Sequence, residues 1–186
     1  MGRDSLLILA LVTIATPPQL VTAFFSLNSG TLNLFYNIYT PCEFLLLYIL
    51  FRPKFLSSRN NIVFTASGIL YIIASVLFLV FFSLTKSFLS QWTALNNILY
   101  IVWVLMYVSE IFFFDADKVG SSYPFTYFLL GVFFYAQCSV LLFTLYYYIT
   151  TNSILGNTWI IQSIANIAMY LLFTAGFITD AKNKTK

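Results

Sequence analysis

Histidine is absent, and charged residues make up only 8% of the 186 positions. The first absence removes the commonest general acid–base group and the commonest metal ligand together. The second excludes folding in water, because nine Lys or Arg and six Asp or Glu cannot cover the surface of a domain this size. Cysteine is scarce as well. Cys42 and Cys138 are the only two, and both lie in apolar runs where packed free thiols are expected rather than a disulfide framework. With no His and no nucleophile–base pair, neither enzymatic activity nor a cofactor is expected. What fills the chain is apolar: 60% hydrophobic and 20% aromatic residues, with a mean hydropathy of +0.88. That composition belongs to a membrane protein.

Apolar runs of roughly 17 to 25 residues recur along the chain, each long enough to cross a hydrocarbon core of about 30 Å as a helix. They are expected at 6–25, 35–51, 62–84, 95–114, 125–149 and 159–178. The first lacks a small-x-small cleavage site and continues through Pro17, Pro18 and Gln19, so it is read as a helix rather than a signal peptide. A β-barrel needs alternating segments, and runs such as Phe44–Leu50 are apolar on every side. The expected fold is an all-α, polytopic bundle of six transmembrane helices, a single transmembrane domain over 1–186. Orientation follows from the basic residues. Arg3, Arg52, Lys54, Arg59, Lys118, Lys182, Lys184 and Lys186 fall on one side of this layout, and Lys86 alone falls on the other. Lys and Arg are retained on the cytoplasmic side, which puts both termini in the cytoplasm and the protein in the inner (plasma) membrane. Tyr146–Tyr148 and Trp159 then flank the outer boundary.

Polar side chains within the spans carry the functional expectation, since each must find a partner inside the bundle or a wet cavity. Glu43 lies nine positions before Arg52, about 13 Å in from the cytoplasmic edge at helical rise, too deep for so short a side chain to reach water. No Lys or Arg lies within a span to pair with it, so a neutral glutamic acid hydrogen-bonded to Asn or Gln is the expected resting form. Asn33, Tyr36, Asn37, Thr40 and Glu43 fall on one arc of the second helix, and Thr158, Gln162, Asn166 and Tyr170 recur every fourth position on the last. Gln137 on the fifth helix and Gln19 on the first add amides. The set Glu43, Asn37, Gln137, Gln162, Asn166 and Gln19 is the candidate binding site, in a cavity closed toward the cytoplasm. The bland reading of the Asn and Gln is interhelical glue. Glu110 lies near the inner end of its helix, just before Asp115 and Asp117, and is expected as a solvated helix end. Pro17, Pro18 and Pro41 withhold backbone donors, and Pro41 stands two residues from Glu43. Gly68, Gly131 and Gly176 are expected where helices approach closely.

Asn37-Ile-Tyr-Thr-Pro-Cys-Glu-Phe44 and Trp159-Ile-Ile-Gln-Ser-Ile-Ala-Asn-Ile167, the latter continuing to Ala175-Gly-Phe177, resemble segments of a group of small, uncharacterised multi-pass membrane proteins from Bacteroidota. The likeness runs from Leu20 onward, with one leading helix fewer here and Gln162 where that group carries His. It implies a multi-pass membrane protein and no particular activity. Pro18-Gln19 is similar to the Pro-Gln of small sugar carriers built from three-helix repeats, although Leu95-Asn-Asn97 stands where a second Pro-Gln would open the fourth helix. Two functions follow from the residues. One is a transporter, channel or ligand sensor that handles a small ligand or cation at Glu43 and responds to pH. The other is a membrane subunit or signalling partner acting through helix contacts with a second membrane protein or another copy of itself. The bilayer is a partner in both, and nucleic acid in neither.

Overall fold

A computed structural model describes residues 3–24, 29–81, 89–114, 123–145 and 159–184. Six helices carry nearly all of them: α1 Arg3–Phe24, α2 Ser29–Phe51, α3 Ser58–Phe81, α4 Ser90–Phe114, α5 Tyr123–Thr144 and α6 Trp159–Lys184. No strand occurs among the described residues, as expected of a chain whose backbone groups must be satisfied within each segment in lipid. Five of the helices, α2 to α6, are long and apolar enough to cross a membrane, while the apolar stretch of α1 among the described residues is the shorter Asp4–Ala15. The expected residues Lys86, Asp115, Asp117, Lys118, Tyr146–Tyr148 and Thr158 lie outside the described residues, as do the side chains of Pro17, Pro18 and Gln19.

The helices fall into two compact groups, residues 6–89 and residues 90–186 with 1–5. In the first group, α2 buries Asn37, Thr40, Glu43, Phe44, Leu47, Leu50 and Phe51, a stripe at helical spacing. A 3-10 turn over Arg52–Lys54, with Pro53 near its start, ends the helix and leads into α3, whose enclosed face is the narrower line Phe64, Tyr71 and Ser75. These faces meet through aromatic rings. Phe44 stacks on Tyr71 with centroids 3.9 Å apart, Tyr48 on Phe64 at 4.8 Å, and Phe55 closes the turn against Phe64 at 4.7 Å. A side chain at Gly68 would drive into the Tyr48 ring, so the absent Cβ lets α2 and α3 approach. The rest of α3, including Ile69, Leu70, Ile73, Val76 and Val80, is exposed, which suits a surface solvated by acyl chains.

In the second group α5 packs along α6, and α4 along α5. The α5–α6 seam is reciprocal. Gly131 of α5 faces the Phe173 ring of α6, and Gly176 of α6 faces the Phe128 ring of α5. The two phenylalanines meet edge to face at 5.8 Å, and Phe128 also meets Phe177 at 5.2 Å, geometries that ring quadrupoles favour. Tyr107 and Phe125 make the corresponding edge contact between α4 and α5 at 5.3 Å. At one end of the group, Ser5 donates its hydroxyl to Asp180 Oδ2 at 2.7 Å, tying the start of α1 to the end of α6. Several serine and threonine hydroxyls are met by their own helix. Thr13, Ser75, Ser109 and Thr174 each donate to a carbonyl three or four residues earlier, at 2.7–2.9 Å, which satisfies them even where the side chain faces outward.

Candidate functional site

Glu43 stands on α2 at the middle of the span Asn33–Lys54, ten positions from its first residue and eleven from its last. It is 5% exposed. The Tyr39 hydroxyl, one turn earlier on the same helix, is a hydrogen-bonding neighbour of the Glu43 carboxyl. The reason is local: positions four apart lie one above the other on a helix face, so the phenol reaches the carboxyl without help from another element. Asn37 and Thr40 continue the enclosed face, at 6% and 3% exposure, while Asn33 and Tyr36 are half-buried. Pro41 supplies no N–H to the carbonyl four residues back, that of Asn37. The Asn37 side chain has a structural task as well, since its Oδ1 accepts the Leu89 N–H at 3.1 Å and so serves a backbone donor just ahead of α4. Thr40 turns its hydroxyl onto the Tyr36 carbonyl at 3.0 Å. The first helix group therefore brings Glu43, Asn37 and Thr40 onto one enclosed face, with the carboxyl as its single ionisable acid.

Of the remaining candidates, Gln137, Gln162 and Asn166 belong to the second group. Gln162 is enclosed and exchanges hydrogen bonds with Ser139 of α5, its Nε2 donating at 3.1 Å and its Oε1 standing 3.3 Å from the hydroxyl. This is the interhelical bonding that membrane bundles use as glue. Gln137 is exposed. Two residues along a helix amount to about 200° of rotation, so Ser139 takes the enclosed position and Gln137 the opposite one. Asn166 is half-buried beside the core line Ala165, Met169 and Phe173. Cys42 and Cys138 are free thiols, both half-buried.

On α4 the structure encloses two asparagines that the sequence did not single out as site residues, and corrects the expectation for Glu110. Asn96 and Asn97 are both 0% exposed, and Glu110 is 2% exposed rather than a solvated helix end. An acid near a helix terminus is covered or uncovered by its neighbours, and sequence depth alone does not decide which. The two asparagines carried a signal of their own: adjacent amides within an apolar run, spaced one turn from Thr93 and Tyr100 on the helix. No group of three Cys, Asp or Glu gathers as metal ligands among the described residues. In comparisons with known proteins, no family model matches the sequence, and neither a curated protein nor a solved structure is significantly similar to it.

Proposed function

We propose that this integral membrane protein handles a small ligand or cation, as a transporter, channel or ligand sensor, through the polar face of α2 centred on Glu43. One observation carries the reading: a carboxyl is kept at the middle of its span, enclosed by protein, while the basic residues of that same span, Arg52 and Lys54, stand nine and eleven positions away at its end. Burying an acid there costs several kcal/mol relative to an apolar residue of the same size. Packing gives no reason to retain it, because leucine at this position would fill the space without that penalty. Asn37 and Thr40 supply oxygens beside it, and Pro41 interrupts the backbone ladder at the same level, a combination suited to a site within a helix.

The test is flux across vesicles. Wild-type protein and Glu43→Gln are reconstituted into liposomes loaded with a pH-reporting dye, and a potassium gradient is imposed with rubidium as tracer. Wild type is expected to move protons or rubidium faster than empty vesicles, and Glu43→Gln to fall to their rate. Equal rates in the two proteins would remove Glu43 from the working site.

A further inference from the structure

Hydroxyls and amides adapt differently to an apolar interior. Serine and threonine can turn their O–H onto a carbonyl of their own helix and need nothing else. An amide can do this only with its nitrogen end, and its carbonyl oxygen then needs a donor that a mid-span helix backbone no longer has. Asn97 has taken this course: its Nδ2 donates to the Thr93 carbonyl at 2.8 Å. Asn96 donates through Nδ2 to the Tyr100 hydroxyl, also at 2.8 Å. The Oδ1 atoms of both are buried without a hydrogen-bond partner. An unmet buried acceptor costs on the order of 1–3 kcal/mol, and two of them occur here within one turn, about 10 Å in from Ser90 at helical rise.

What would meet these oxygens follows from what they present. Each amide is anchored through its nitrogen, so the end left over is an acceptor. No carboxylate shares the turn. The acid of α4, Glu110, stands thirteen positions beyond Asn97, about 20 Å along the helix. Divalent ions draw on carboxylates, whereas neutral carbonyl oxygens are the ligands that strip the hydration shell from monovalent ones. Thr93 and Tyr100, both buried, add neutral oxygens one turn to either side. We infer that α4 carries a monovalent-cation site built on the side-chain carbonyls of Asn96 and Asn97. The site makes no use of Glu43.

Thermal unfolding of the purified full chain in detergent tests this, in sodium, potassium or N-methylglucamine chloride at equal ionic strength. Sodium or potassium is expected to raise the wild-type Tm saturably. Asn97→Leu should shift the half-saturating concentration upward by about tenfold or more, and Leu95→Ile, on the exposed side of the same helix, should leave it in place. Difference infrared spectra of wild type with isotope-labelled asparagine, recorded while one cation is exchanged for another, give a readout that does not depend on any variant folding. They should show a side-chain amide carbonyl band shifting with the cation. A Tm and an amide band that are the same in all three salts would overturn the site and leave these oxygens to internal water. A salt response that survives Asn97→Leu but disappears in Glu43→Gln would overturn it too, by assigning the cation to Glu43.

Discussion

Replacing Gly131 with alanine should weaken the α5–α6 seam, although alanine is the better helix former. The new Cβ would stand 2.8 Å from Cε1 and 3.0 Å from Cδ1 of Phe173, and 3.3 Å from the Met169 carbonyl oxygen. Carbon atoms pack best at about 3.5–4.0 Å, so the ring must retreat by about 0.7 Å or more. Phe173 has little room to do so. It is 1% exposed and lies edge to face with Phe128, and Phe128 in turn occupies the space over Gly176. Overpacking of this kind costs about 1–3 kcal/mol, against a helix-propensity gain of about 1 kcal/mol for Gly to Ala. The expected net loss is therefore about 0–2 kcal/mol, read by unfolding in mixed micelles. Phe173→Leu should recover part of the loss in the double variant, because a shorter side chain vacates the ring position. The recovery should be incomplete, because the Met169 carbonyl belongs to the backbone and stays. Gly131→Ala at or above wild-type stability, with no coupling to Phe173→Leu, would refute the reciprocal glycine–phenylalanine packing.

Further outcomes follow from the same contacts. Ser139→Ala leaves Gln162 enclosed without its hydroxyl partner, and it should cost more stability than the double variant Ser139→Ala/Gln162→Leu, which removes both polar ends; the difference, measured in micelles, should be about 1 kcal/mol. Tyr39→Phe removes the hydroxyl that neighbours the Glu43 carboxyl and should both slow any flux that depends on that carboxyl and lower stability by about 1 kcal/mol or more, read as the unfolding midpoint in micelles. A fluorescent reporter fused to the C-terminus should fold and fluoresce, and an alkaline phosphatase fusion there should be inactive, if the basic loops set the orientation; the reverse pattern would place that end outside.

The helices were legible because their signal is compositional. Apolar runs of spanning length mark where lipid must be, and α2 to α6 each contain one. Their ends were less so. α2 begins at Ser29 and α6 continues to Lys184, beyond the expected 35 and 178, because a helix does not stop where the hydrocarbon does and polar first and last turns escape a hydropathy reading. Glu43 stood out as a charge in an apolar run, and its enclosure follows the helical stripe of α2. Its Tyr39 partner was not anticipated, since a search for partners across the bundle passes over the residue one turn away. Asn96 and Asn97 were overlooked for another reason. Asparagine alone reads as glue, and only coordinates reveal that the nitrogen ends are occupied within α4 while the oxygens are left over. The burial of Glu110 and the exposure of Gln137 depend on which neighbour covers which face, and a single helix wheel does not hold that information.

Accessibility of position 43 to a water-borne reagent decides whether Glu43 faces a solute site. In a background with Cys42 and Cys138 replaced by alanine, Glu43→Cys and Leu45→Cys are treated in native membranes with a small charged methanethiosulfonate. Cys at position 43 is expected to react, because the proposed site opens to small water-borne solutes, and Cys at position 45 to stay inert, because Leu45 is exposed on the apolar surface of α2. Protection of position 43 from this reagent, together with modification by a lipid-soluble maleimide, would place the carboxyl toward acyl chains and rule out a solute site at Glu43.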